Sequence, residues 1–219
     1  SASFKSGVTA LISEEQFEQL FYGHKPFYSY DGFIAGANAA VGFGTTGNYD
    51  TRVREVAAFL ANAAHETSCG RYVAEVAVRN YHHYSDPGTS NAKPVPGKYY
   101  YGRGWLQITH LYNYFAASEY IYTDSNVLVQ DPDILEQDAA ISTQASLWYW
   151  MTQCGPSNNT AHDAMVTGKG FGCTIRAING TLECDGGNTA QVRSRVRYYE
   201  QFLEVLSKGS VKPVGENWC

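Results

Sequence analysis

Two glutamates, Glu66 and Glu75, stand nine residues apart in the stretch TRVREVAAFLANAAHETSCGRYVAEV, residues 51–76. Val53, Val56, Ala57, Leu60, Ala61 and Ala64 recur at spacings of three and four, which predicts a helix with one apolar face. Arg52, Arg54 and Glu55 are expected to face water. His65 and Glu66 arrive at the end of this alanine-rich helix, where a charge is costly unless it is used or paired. Gly70 is a helix stop, and Tyr72-Val73-Ala74 reads as extended. On one continuous helix the two carboxylates would point to opposite faces, about 13 Å apart along the axis. A break near Gly70 instead lets Glu75 face Glu66 across a groove. Two facing carboxylates in unlike surroundings are what hydrolysis of a glycosidic bond needs. Taken alone, the stretch also fits a capped helix followed by two surface glutamates.

These residues must be held by a folded chain, and the composition supports one. The 219 residues are 44% hydrophobic and only 17% charged, which excludes a disordered chain. The net charge of -5 and the lack of a Lys/Arg-rich block argue against a nucleic-acid partner. No apolar run approaches transmembrane length, so no membrane partner is expected. Seventeen tyrosines and four tryptophans offer aromatic surface for a sugar cleft, although most must serve packing. The five cysteines, Cys69, Cys154, Cys173, Cys184 and Cys219, show no zinc-type spacing, and no metal or cofactor is expected. Their odd number leaves at least one thiol free or paired with another chain. A cysteine at the last residue reads as a staple for the C-terminus. A secreted protein, with any leader already removed, is the expectation.

The elements that position the glutamates follow in order. Ser13-Glu14-Glu15-Gln16 is a capping box opening a helix through Phe17, Leu20 and Phe21, closed by Gly23. Asp31 is expected to cap a small-residue helix over 32–43. Residues 80–98 form a long loop rich in Pro and Gly, of a length that is often functional. Helices are expected over 107–119 and 136–151, short ones over 161–166 and 174–178, and a final one capped by Asn188. Its inner face is Val192, Val196, Tyr199, Leu203 and Leu206. No repeat or linker interrupts the chain, so 1–219 reads as one domain. The class is mainly α, with at most a small sheet near Glu75 and Tyr99.

Four stretches, AAFLANAAHET, KYYYGRGWLQITHLYNY, SLWYWMT and TIRAINGTLECDGGNTAQVRSRV, occur in this order. Together they resemble the glycoside hydrolase family 19 chitinases of the compact, loop-poor type. The resemblance implies a lysozyme-like α+β fold, with two helical lobes around a substrate cleft. It implies endo-acting hydrolysis of β-1,4-linked N-acetylglucosamine in chitin or chito-oligosaccharides, with inversion, by a monomer. Residue by residue, Glu66 matches the general acid, Glu75 the general base, and Thr109 the hydroxyl that helps hold the attacking water. His65, Tyr100, Gln107, Tyr112, Asn113 and Asn179 match substrate contacts. Glu183 and Arg195 match an ion-pair network behind the acid, with Glu183 expected between the other two. The resemblance also implies a Cys184–Cys219 disulfide. Spacing adds Cys154–Cys173 as a second pair, which leaves Cys69 free. Three departures from the family pattern stand out: Trp105-Leu106 replaces Pro-Ile, Ser85 a cysteine, and Gln144 a lysine.

Three rival functions share some of these features. A peptidoglycan hydrolase would use the same carboxylates on a different polymer. A non-catalytic chitin-binding protein would not need both glutamates. A zinc hydrolase built on His65-Glu66 needs a second histidine where Cys69 stands.

Overall fold

The computed structural model describes residues 7–76 and 81–219. Among these, ten α-helices account for most of the ordered backbone: α1 Glu14–Leu20, α2 Tyr30–Ala39, α3 Tyr49–Glu66, α4 Leu111–Tyr122, α5 Val127–Gln130, α6 Ile134–Gln137, α7 Ala139–Thr152, α8 Ala161–Val166, α9 Phe171–Glu183 and α10 Thr189–Ser207. The expected small sheet is reduced to two isolated antiparallel bridges, Ala74 with Arg103 and Arg103 with Ile108. The class is mainly α, as expected.

Helix α3 is the centre of the larger lobe. Val53 and every residue from Glu55 to Ala64 are buried, so the helix is enclosed on all sides rather than along one stripe. Alanines at 57, 58, 61, 63 and 64 let α8, α9 and α10 pack closely around it. The inner face of α10 is buried at all five expected positions. A smaller lobe gathers Tyr100, Leu111, Tyr114, Leu128 and Leu135 into a second core. Helix α7 belongs to both, giving Leu147 and Trp150 to the first core and Ala145 and Trp148 to the second. The cleft lies where the two cores diverge.

Local chemistry moves several boundaries. The Ser13 capping box forms as expected. Helix α2 is capped by Ser29, not Asp31, because the Ser29 hydroxyl reaches the Gly32 N–H. Helix α4 starts at Leu111 rather than Gln107, since Gln107 and His110 sit at φ 52° and 76°, outside helical space. Asp138 caps α7, so that helix begins after residue 136, and α9 is longer than expected at both ends. Asn188 caps α10 and α8 spans Ala161–Val166, both as expected. The long loop contains a 3-10 turn, Tyr81–Ser85, while its first residue, Asn80, lies outside the described residues.

Cys184 and Cys219 are bonded across a separation of 35 residues. Cys154 and Cys173 are not; both are free, as is Cys69. Spacing gives the size of a loop but not where its ends point. Cys154 is exposed beyond the end of α7, whereas Cys173 is half-buried in the first turn of α9. Trp105 is a core residue: it lies 4.0 Å from the Tyr28 ring and 5.0 Å from Phe21, and its indole donates to Thr143 Oγ1 at 3.1 Å. The departure at 105 therefore changes packing, and Leu106 alone of that pair lines the cleft.

Glu55 does not face water. It is fully buried and accepts from Gly44 N at 3.0 Å, Trp150 Nε1 at 3.1 Å and His162 Nδ1 at 2.5 Å. These bonds join α3, α7, α8 and the loop before α3 at one carboxylate. Burial acts to lower the His162 pKa, but the hydrogen bond to Glu55 and its charge outweigh burial and hold it above 6.5. Protonated His162 therefore stabilises the folded chain fully below pH about 6.5, and this contribution is lost as pH rises through the folded value. His162→Gln should lower the melting temperature most on the acid side of neutrality. The gap to wild type should close as pH is raised through the folded His162 value, measured by calorimetry across the range.

Candidate active site

Glu66 is the last residue of α3, and the chain reverses immediately after it. Cys69 N donates to Ala64 O at 2.7 Å and Tyr72 N to Thr67 O at 3.0 Å, while Ser68, Cys69 and Gly70 take φ of 50°, 60° and 78°. Three successive left-handed residues turn the backbone through the break expected near Gly70. The returning segment then pairs with the smaller lobe. Glu75 N donates to Gly102 O at 2.8 Å, and Gly104 N to Val73 O at 2.8 Å. Glu75 thus leaves the helix axis and stands on a short extended segment opposite the helix end.

Both glutamates line one cavity of about 410 Å³, together with Tyr72, Tyr84, Gln107 and Thr109. A second cavity of about 390 Å³ shares Glu66, Tyr84, Gln107 and Thr109 and runs on past Tyr112, Asn113, Tyr149 and Asn179. The two form one groove between the lobes. Gly102 forms part of its floor, where a Cβ would lie 2.9 Å from Gln107 Oε1 and 3.2 Å from Thr109 Oγ1. Any side chain at 102 would push those two groups out of place.

The carboxylates have different surroundings. Glu66 is 19% exposed and accepts from Arg195 Nη2 at 2.5 Å. Arg195 is buried and spends its remaining donors on Glu183, at 2.6 and 2.8 Å, and on Asn62 Oδ1, at 3.1 Å. Arg195, not Glu183, is therefore the middle member of the network. Burial works to raise the Glu183 pKa, but the Arg195 hydrogen bonds and charge outweigh it and hold it below 4.5. Asn179 adds a bond to Glu183 Oε1 at 2.8 Å from a kink in α9. Glu75 instead faces neutral donors: Tyr84 Oη at 3.0 Å and Gly102 N at 3.4 Å. Burial and the bond to Glu75 both raise the Tyr84 pKa, so its phenol remains a donor at neutral pH.

Comparison with known sequences bears on this geometry. The family model described as chitinase class I matches residues 11–217. The chain belongs to glycoside hydrolase family 19. It is 43% identical over 180 residues to Chitinase 6 of Oryza sativa subsp. japonica, covering 82% of this chain and 62% of that protein. The chain thus spans less than two thirds of that curated relative. Among solved structures, a bacterial family 19 chitinase superposes with a TM-score of 0.88 at 44% identity, covering 95% of this chain and 100% of the other. Chitinase C from Streptomyces griseus HUT6037 gives 0.88 at 41% identity, covering 95% and 80%. The lysozyme-like fold expected from the sequence is that of the family.

Not every residue matched to the family lies where a substrate contact must be. Glu66, Glu75, Gln107, Thr109, Tyr112, Asn113 and Asn179 all line the groove. Tyr100 does not: it is fully buried, and its hydroxyl donates to Val129 O at 2.9 Å and accepts from Val95 N at 3.1 Å. In a run of three tyrosines its position in the motif could not reveal which ring turned inward. His65 points away from the groove to Ser194 Oγ on α10 at 3.0 Å, and burial, then the Arg195 charge, lower its pKa to about 4. Neutral His65 acts as a wall behind Glu66.

Three groove or support residues escape a sequence reading. Tyr84 sits in the long loop with nothing to separate it from its neighbours. Tyr149, whose pKa burial raises to about 12, is hidden in an aromatic run. Asn62 did carry a signal: it precedes Glu66 by four residues on the same helix face, a polar group in an alanine run.

Removing Glu183 should expose how strained Arg195 would be without it. Glu183→Ala leaves a buried guanidinium short of one of its two counter-charges and should destabilise the chain by about 3–5 kcal/mol, measured by denaturant unfolding. The wild-type contribution is present above pH about 4.5 and is lost as pH falls through the depressed folded value, so the deficit should shrink in acid.

Proposed function

We propose that this family 19 chain is an endo-acting chitinase that cleaves β-1,4 linkages between N-acetylglucosamine units with inversion. The carrying observation is that Glu66 and Glu75 line one cavity with Thr109 between two lobes. In this reading Glu66 is the general acid, Glu75 the general base, and residues 1–219 are one catalytic domain. The protein acts outside the cell as a monomer and needs no metal or cofactor.

The network suits the acid. With Glu66 protonated, Arg195 and Glu183 form a neutral pair, and the proton can pass to the leaving oxygen. When it has gone, Arg195 Nη2 already touches Glu66 Oε1 and stabilises the new charge. The base side follows from hydrogen-bond directions. Thr109 donates its own hydrogen to Gln107 O at 2.7 Å, so its oxygen is left as an acceptor. A water between Thr109 and Glu75 then gives one hydrogen to each. Its lone pair is left to attack the anomeric carbon from the face opposite Glu66. Tyr84 and Gly102 N hold the Glu75 carboxylate while it takes the proton. Gln107, Tyr112, Asn113 and Asn179 supply neutral hydrogen-bonding groups suited to an uncharged sugar.

Glu66→Gln should abolish nearly all turnover of a defined chitin hexamer while leaving oligomer binding intact. Glu75→Gln should cut the rate by about 100-fold or more, because an inverting enzyme has no covalent route around its base. Fresh product read by NMR should be the α-anomer; β-anomer product, or an active Glu75→Gln, would refute the assignment.

Thr109→Val keeps the shape of the side chain and removes the acceptor. The rate should fall about 10- to 1000-fold with little change in oligomer affinity. A Val variant with normal turnover is the contrary result. Clearing of bacterial cell walls, with no product from chitin oligomers, would point instead to peptidoglycan.

A further inference from the structure

A recess of about 340 Å³ lies outside the groove, along the outer side of α10. It is lined by Ala190, Arg193, Ser194, Arg197, Tyr198 and Gln201. These positions recur at spacings of three and four, so they form one stripe running about 16 Å along the helix. Arg195, which serves Glu66, is buried away from this stripe. The end of α3 and the reversal after it lie alongside. His65 Nδ1 meets Ser194 Oγ at 3.0 Å, and Tyr198 is within electrostatic reach of Cys69 and Arg71. The volume falls in the range of small-ligand sites, ~300 to 1,000 Å³.

The recess is basic, and its cations are unspent. Arg193 and Arg197 stand one turn apart and are both exposed. Among the described residues neither is paired with a carboxylate, whereas Arg103, Arg176 and Arg195 each are. Arg71 donates to Ser68 O at 3.1 Å and is likewise without a carboxylate partner among the described residues. Glu200, the nearest acid along the helix, is not part of the lining. Like charges one turn apart on a helix repel. The overall charge of the chain is -5, so this concentration of cations is local and runs against the composition.

The other lining groups narrow the occupant. Two guanidinium forks suit the paired oxygens of a carboxylate. Tyr198 is half-buried and set edge-on to Phe202 at 5.6 Å, which fixes its ring. Burial, then Cys69, raise the Tyr198 pKa, while Arg71 and Arg197 act to lower it. The phenol is therefore neutral at pH 7 and does not compete as an anion. Ser194 and Gln201 add uncharged hydrogen-bonding groups. A bare oxyanion would use the arginines and leave the ring idle. An acidic sugar uses the arginines through its charge, the ring through an apolar face and the neutral groups through its hydroxyls.

We propose that this recess binds an anionic sugar unit of an acidic polysaccharide and so holds the protein on a charged matrix while the groove works on a neutral polymer. The proposal goes beyond the chitinase reading and does not depend on it, because none of the six residues lines the groove.

The test titrates the full chain calorimetrically with a galacturonic acid trimer, with its uncharged methyl ester and with inorganic phosphate. The trimer should bind, and the ester and phosphate should bind at least about 10-fold more weakly. Trimer binding should fade at about 1 M salt, where charges are screened within about 3 Å. Arg193→Gln with Arg197→Gln should lower trimer affinity about 10-fold or more, with the melting temperature and turnover of a chitin hexamer unchanged. Gln201→Glu, made separately, brings a carboxylate into the recess and should weaken the trimer with both arginines in place. A wild-type chain that ignores the trimer, binds the ester or phosphate as tightly, or keeps its trimer affinity in the double arginine variant overturns the site. A wild-type chain that binds the trimer but does not turn over the hexamer overturns the chitinase reading and leaves this site standing.

Discussion

One guanidinium organises the larger lobe's side of the cleft. Arg195 is buried against two carboxylates and an amide from two other helices: Glu66 and Asn62 on α3, Glu183 at the end of α9. A buried cluster of this kind adds little net stability, because desolvation cancels most of the attraction. What it contributes is position. Each donor of a planar guanidinium has a fixed direction, so the ends of α3 and α9 are held in register with α10. The disulfide from Cys184 to Cys219 fastens the residue next to Glu183, and Asp185 N donates to Cys219 O at 3.2 Å. The C-terminal tail thereby secures the same corner.

A second buried guanidinium does the corresponding work in the smaller lobe. Arg103 donates to Glu136 at 2.6 Å, Asp133 at 2.7 Å, Tyr99 O at 2.7 Å and Tyr114 Oη at 2.8 Å, and lies 3.6 Å from the Tyr101 ring centre. Its own backbone pairs with Ala74 and Ile108. The loop that carries Gly102 is therefore rigid, and Glu75 is hydrogen-bonded to that loop through both its backbone and its side chain. The two proposed catalytic groups hang from two separate arginine anchors, one in each lobe. Helix α7 contributes to both cores and so sets the width of the cleft between them.

Helix identity was largely legible because it is local. The Ser13 and Asn188 caps, the spacing of the α10 apolar face and the glycine at 70 each act within a few residues of themselves. Where local rules failed, a tertiary bond had outvoted them. Glu55 looked like a surface residue on a period-3.6 pattern, yet it is buried because Gly44 in the preceding loop and Trp150 and His162, far along the chain, supply its hydrogen bonds. Gln107 and His110 looked helical, but each takes a positive φ where the chain lines the groove.

The sequence by itself pointed to the family and, through it, to the kind of chemistry proposed. Two glutamates across a helix break, with four motifs in order, are properties of residue type and spacing, and spacing survives folding unchanged. It determined equally that the chain has an apolar core and that α10 has one buried face. Only the tertiary structure decided which tyrosine reaches the groove and which is core, that Arg195 rather than Glu183 stands between the acids, and that Cys154 and Cys173 stay apart. These are questions of direction, not of order along the chain. A side chain's direction is set by what packs against it, and those partners lie from nine to more than a hundred residues away: Val129 for Tyr100, Arg195 for Glu66, Tyr84 and Gly102 for Glu75.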